Sequence, residues 1–245
     1  MTNGEGFEDA VQIARENPGL GIGVHVSLVG ERAVAAAGQL RGLADKNGML
    51  PGSYQAFVAA FLSRRFGVAE IRTEIQAQVG RALEAGITPT HLDFHQHLHM
   101  LPAIFPIALS AAQSAGIGVI RIPLDRGRAS GSAARRIQTF ILRRFCRHNA
   151  GRLAQAGLNS SGRFHGFTHS GEMNESNLLA TLNCLEPEVN EIMMHPGFHD
   201  AATAARYPWG YHWQDEYEAL ISPRVRRYIE EQQIRLANFA DAWRA

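Results

Sequence analysis

Apolar positions recur along this chain in two rhythms. In residues 70–85, Ile71, Ile75, Val79, Ala82 and Leu83 fall three and four apart with Gly86 behind them, which predicts an amphipathic helix and its stop. The same spacing predicts helices over 7–16, ending near Asn17-Pro18-Gly19, and over 54–65 and Pro102–Gly116. An early proline is tolerated in the last of these. Further helices are expected near 132–155, 175–185 and 223–232. Residues 20–29 look like a buried strand, and strands also fit 117–122, 163–169, 189–194 and 233–239. No internal repeat, low-complexity tract or linker interrupts the pattern, so residues 1–245 are expected to form one domain.

Strands that alternate with helices imply parallel pairing, and hence an α/β fold with an open sheet or a barrel. About six strands are predicted, against the eight of a complete (β/α) barrel. The first element is a helix with no strand before it. The expectation is an irregular (β/α) barrel lacking its first strand–helix unit, with an unpaired edge that favours self-association into a homo-oligomer.

One segment breaks the ordinary strand pattern. In THLDFHQHLHMLP (90–102), His91, Asp93, His95, His97 and His99 all occupy odd positions. If 89–97 is extended, His91, Asp93 and His95 share one face, with Leu92 and Phe94 on the other. A polar face on a buried strand is costly unless something satisfies it. Neutral imidazole is the commonest metal ligand, and a nearby carboxylate fits beside it. A hydrogen-bonded histidine cluster without an ion is the structural alternative. His25, His95, His169 and His195 all lie near predicted strand ends, where barrel sites gather.

Composition narrows the function. Net charge is +1, which gives no bulk attraction for nucleic acid. Two separated cysteines, Cys146 and Cys184, argue against a disulfide framework and suit a reducing compartment. With no leader or spanning run evident, a cytoplasmic location is expected.

GVHVSL (23–28), THLDFHQHLHMLP (90–102), RIP (121–123), HPGF (195–198) and LISPRVRRYIEEQQIRLANF (220–239) resemble the YdjC-like carbohydrate deacetylases. That family includes chitooligosaccharide deacetylases and relatives encoded with hopanoid biosynthesis. The resemblance runs from about Gly4 to Phe239. It implies an irregular βα barrel that hydrolyses an N-acetyl group from an amino sugar, with one divalent metal ion, Mg2+ or Zn2+. His25 and His95 match metal ligands, His195 the general acid, and Asp93 a carboxylate that orients a ligand. Family members open with an Asp-Asp-Phe-Gly strand that supplies a third ligand and a base. This sequence has no Asp-Asp pair. The resemblance therefore implies a missing stretch of roughly 35 residues, the size of a βαβ unit, and an activity impaired by the loss of those carboxylates.

Other features are open to two readings. Tyr207, Trp209, Tyr211 and Trp213 crowd 206–217, where Trp209 and Trp213 could stack on a sugar or simply anchor a loop. Arg121, at a strand end, suits either substrate contact or a structural ion pair. Residues 135–147 (RRIQTFILRRFCR) form a basic amphipathic helix, expected to be an ordinary barrel helix with a solvated arginine face, or else to touch an anionic membrane weakly. His97, His99, His165 and His169 are expected in the core or pocket lining, and His148, His199 and His212 at the surface. Two other functions compete with sugar deacetylation. One is another metallohydrolase, of amidohydrolase or phosphoesterase type; those usually carry His-x-His on the first strand. The other is a non-catalytic sugar- or glycolipid-binding descendant.

Overall fold

A computed structural model describes residues 1–127, 133–198 and 200–243, with the side chains of Ala134, Arg135 and Ala202 left aside. The described chain divides into two compact units. The first holds residues 1–122, 145–160 and the C-terminal stretch from Asn238; the second holds 123–144 and 161–237.

In the first unit, helix α1 (Phe7–Glu16) buries Phe7 and Val11, one turn apart. Strand β1 (Gly23–Val26) follows, then α2 (Tyr54–Leu62), α3 (Val68–Glu84), β2 (His91–Phe94), α4 (Phe105–Ser114) and β3 (Val119–Ile120). Helix α5 (Ala133–Gln155), whose residues from Phe145 on belong to this unit, leads to β4 (Asn159–Ser160). The four strands pair in parallel in the order β1-β2-β3-β4, with His25 opposite Asp93 and Leu92 opposite Ile120. Val24, Val26, Leu92, Phe94 and Ile120 are fully buried, as are Ile71 and Ile75 of α3 and Phe105 and Ala108 of α4.

Helix α3 also carries a polar stripe four residues apart, half-buried at Glu70 and fully buried at Glu74 and Gln78, which its apolar spacing did not foretell. Gln78 brackets Ser27, accepting from its N–H at 2.9 Å and donating to its carbonyl at 2.6 Å. Glu74 accepts the N–H groups of Val34 and Ala35 at 3.0 Å each, and Glu70 accepts those of Gly42 and Leu43 at 2.7 and 3.2 Å. The irregular chain after β1 pairs with itself only around the antiparallel bridge between Arg32 and Met49, and these side chains satisfy further backbone groups. Gly23 lies opposite His91, and a Cβ there would overlap the His91 ring. Only glycine allows that imidazole to lie across β1.

In the second unit, β5 (Arg163–His165) pairs in parallel with β6 (Asn190–Ile192). Helix α6 (Glu175–Leu182) stands between them in sequence, followed after β6 by α7 (Ala201–Arg206), α8 (Trp213–Ile221) and α9 (Pro223–Glu231). Met173, Leu178, Leu182, Ala219 and Val225 form the core. Ser222 joins three helices: its hydroxyl accepts from Arg224 and Val225 at the start of α9 and donates to Glu175 at 2.6 Å. Helix α10 (Phe239–Ala242) belongs to the first unit.

The α/β class and the parallel pairing agree with the pattern of the sequence, but several elements differ. No strand forms at 233–239: Gln233 adopts φ 53°, ending α9, and Asn238 caps α10 by accepting the N–H of Asp241 at 3.0 Å. The aromatic stretch expected as a loop contains the start of α8. The histidine strand stops at Phe94 because Gln96 and His97 take left-handed conformations, φ 53° and 54°. From His95 on, the odd-position histidines therefore no longer share a strand face. The strand predicted over 163–169 ends at His165, where Gly166 takes φ 104° and lies against the backbone of Met193.

Candidate active site

The parallel register between β1 and β2 sets His25 beside Asp93. Asp93 is buried, and its Oδ2 accepts the Nδ1–H of His25 at 2.7 Å. The same oxygen accepts from the Arg121 guanidinium, which follows β3. Burial alone would raise the Asp93 carboxyl; His25 and Arg121 outweigh it and hold the group well below the usual carboxylate range. Asp93 is thus an ionised acceptor. An ionised acceptor here places a proton on Nδ1, so that Nε2 is the nitrogen left to face a ligand.

His95 begins the turn after β2, and its ring lies 5.7 Å from that of His25 at an interplanar angle of 73°. His99 is fully buried, stacks on Phe94 at 4.9 Å and donates Nε2–H to the carbonyl of Arg121 at 2.7 Å. Burial pushes His99 down to about 4 and His97 well below its ordinary value, so both are neutral packing groups at pH 7. His91 is also pushed down to about 4 by burial; it shares a hydrogen bond with Thr90 and packs on Phe239 at 4.4 Å.

The donors at this end of the first unit suit a divalent cation. A ligating histidine characteristically gives its other ring N–H to a carboxylate, and His25 does so. His95 supplies a second imidazole. Among the described residues no group of three or more His, Cys, Asp or Glu side chains is placed to hold an ion. His25 and His95 alone would be a partial set of donors for such an ion.

The second unit carries His195, just beyond β6. Its backbone N–H donates to Glu216 of α8, and its Nδ1 lies 4.0 Å from the same carboxylate. The Glu216 side chain is fully buried and also accepts the Met173 N–H at 3.2 Å. Burial pushes its carboxyl up, against the pull of those backbone donors. The Tyr211 ring packs 5.0 Å from the His195 ring, and its hydroxyl shares a hydrogen bond with Ser170 at 2.9 Å. Glu216 was not singled out from the sequence. Its only signal is an acidic residue among the apolar positions of WQDEYEAL.

The remaining expected site residues divide. Arg121 pairs with Asp93. Trp209 is 41% exposed and presents its ring. Trp213 does not: at 9% exposure it is buried at the start of α8, with its Cβ packed beside Gly197. His165 bonds Asn190 within the sheet at 3.0 Å. His199 lies outside the described residues.

Comparisons with known proteins place these observations. A profile of the family described as YdjC-like protein matches residues 1–231. A carbohydrate deacetylase of Brevibacillus brevis is 29% identical over 241 residues, covering 98% of this chain and 86% of the relative. A chitooligosaccharide deacetylase of Proteus mirabilis is 27% identical over 247 residues, covering 98% and 85%. A carbohydrate deacetylase of Mus musculus is 26% identical over 261 residues, covering 98% and 84%. The crystal structure of a provisionally named cellobiose-phosphate cleavage protein from Enterococcus faecalis V583 superposes with a TM-score of 0.73 at 22% identity, covering 98% of this chain and 85% of that one. That likeness shows a shared fold.

Proposed function

The chain belongs to the YdjC-like protein family, and from that premise we propose that it is a carbohydrate deacetylase that hydrolyses the N-acetyl group of an amino sugar in an oligosaccharide or glycolipid. The observation that carries this reading is the match across 1–231, together with relatives of that name aligned over 98% of the chain. The buried Asp93–His25 pair supports it as chemistry.

His25 and His95 would hold one divalent ion through imidazole nitrogen. Such donors favour a borderline ion such as Zn2+ over Mg2+, which prefers oxygen ligands. When bound, the ion would polarise the acetyl carbonyl and make a water more acidic. The chain's own residues supply the rest. Asp93 keeps His25 in the Nδ1–H tautomer and aims its ring. With so low a proton affinity Asp93 orients and does not act as the base. Arg121 neutralises the buried carboxylate. His195, carried by the second unit, would give its proton to the leaving amine as the C–N bond breaks; the water oxygen would end in acetate, the proton given up by the water would pass to solvent, and His195 would regain a proton from solvent. Glu216 holds the His195 backbone and, 4.0 Å from Nδ1, favours the imidazolium that carries that proton. Trp209 offers an exposed ring for a sugar face.

The test is acetate release from N-acetylchitooligosaccharides and from an N-acetylglucosaminyl lipid, measured with Zn2+, with Mg2+ and after chelation. Acetate from either substrate, abolished by chelation, is the expected result. Absence of acetate from both at full metal occupancy would overturn the reading, as would turnover of phosphosugars in their place.

A further inference from the structure

Helix α5 carries two opposed faces. Thr139, Cys146, Asn149 and Leu153 are buried, which makes the inward stripe. On the opposite side Arg136, Ile137, Phe140, Ile141 and Arg144 fall at spacings of one, three and four, within a single arc of the helix. Ile137 is 60% exposed, Phe140 66% and Ile141 45%, and both arginines are exposed. The apolar residues expected to pack inward therefore point away from the core. The 23-residue helix contains six arginines and no acidic residue.

From this arrangement we propose that the outer face of α5 docks on an anionic lipid bilayer surface, with Phe140, Ile137 and Ile141 entering the headgroup boundary and Arg136 and Arg144 pairing with lipid phosphates. Apolar rings flanked by basic side chains, on a helix too polar to span, are the makings of an interfacial helix. The arginine stems lie along the inserted surface while their guanidinium groups stay at phosphate level. A second copy of the chain fits this face poorly. A twofold contact would set Arg136 and Arg144 against the same arginines of the partner, and like charges in a contact are repulsive. The proposal is independent of the catalytic reading, because the face contains none of the residues assigned to deacetylation.

The full chain can be sedimented with vesicles of phosphatidylcholine alone and with vesicles of phosphatidylcholine mixed with the anionic lipid phosphatidylglycerol. Binding to the anionic vesicles, weakened by salt, is the expected result. Arg136→Gln and Arg144→Gln should each lower partitioning roughly fivefold, and Phe140→Ser by about tenfold or more. All three side chains are solvent-exposed, and unchanged circular dichroism and thermal midpoints will confirm that the variants fold. Absence of binding to either vesicle overturns the proposal, as does equal binding to both that ignores the substitutions. If Phe140→Ser instead converts a dimer to a monomer in sedimentation velocity without altering lipid partitioning, the face is a protein interface and the proposal fails.

Discussion

A single oxygen of Asp93 accepts both the Nδ1–H of His25 and the guanidinium of Arg121. This one atom ties together three parallel strands: His25 on β1, Asp93 on β2 and Arg121 just past β3. Asp93→Asn keeps the shape but loses the charge, so His25 is no longer held in one tautomer. Loss of such an outer partner costs about 10–100-fold in metal affinity or activity. Isothermal titration with Zn2+ should show that drop for Asp93→Asn and a much larger one for His25→Ala and His95→Ala. Asp93→Ala should also destabilise the fold by about 3–5 kcal/mol, because it strands a largely buried Arg121. Zinc affinity in His25→Ala or His95→Ala equal to that of the parent protein would remove those residues from the ion.

His195 and Glu216 make a second testable pair. His195→Ala should retain the metal and lose turnover by about 10²–10⁴-fold, the usual contribution of a positioned acid. Glu216→Gln removes the charge beside the imidazole and one acceptor for a backbone N–H. The pKa of His195 should fall, so the alkaline limb of the pH–rate profile should move to lower pH while zinc content stays constant. A uniform loss of activity with an unmoved profile would mean that Glu216 acts on the fold alone.

How much of this could be read from the sequence depends on whether the signal was local. Helix α1 was bounded correctly at 7–16, since Phe7 and Val11 recur at helical spacing and Asn17-Pro18 stops the chain. Helix α8 was missed because its core positions are Trp213, Glu216 and Ala219, and a glutamate in that series breaks the apolar pattern. Glu216 bonds backbone N–H groups, which leave no trace in residue identity. The histidine segment misled in the opposite way. Odd-numbered histidines mimic strand alternation through His99, whereas Gln96 and His97 turn left-handed after Phe94. The pairing of His25 with Asp93 was approachable from their motifs, but the role of Arg121 needed the register of β2 against β3.

The two tryptophans of the aromatic segment should separate by assay. Trp209→Ala should raise KM for an oligosaccharide with little change in thermal midpoint, because its ring is exposed. Trp213→Ala should lower stability by about 3–5 kcal/mol, the range for deleting a buried aromatic. If Trp209→Ala leaves KM unchanged across chain lengths, the ring does not contact sugar.

The buried histidines predict how the fold responds to acid. His99 is lowered from 6.5 to about 4 by burial. Above about pH 6.5 it is neutral in both folded and unfolded chains and contributes no pH dependence. Between about 6.5 and 4 the unfolded chain binds a proton that the folded chain refuses, so stability falls as pH falls; below about 4 the effect levels off. Linkage over the step from pH 7 to pH 5 gives a loss on the order of 2 kcal/mol from His99. Asp93 acts in the same direction at lower pH. Its folded carboxyl lies below the ordinary value of 3.8, so its contribution is present above that value and is lost as pH falls further. Urea unfolding at pH 7 and pH 5 should reveal the first step. In His99→Gln, which removes the titrating group and keeps a donor for the Arg121 carbonyl, the difference between the two pH values should shrink by about that amount. An equal difference in parent and variant would show that His99 titrates near its ordinary value in the folded chain and that its ring is hydrated.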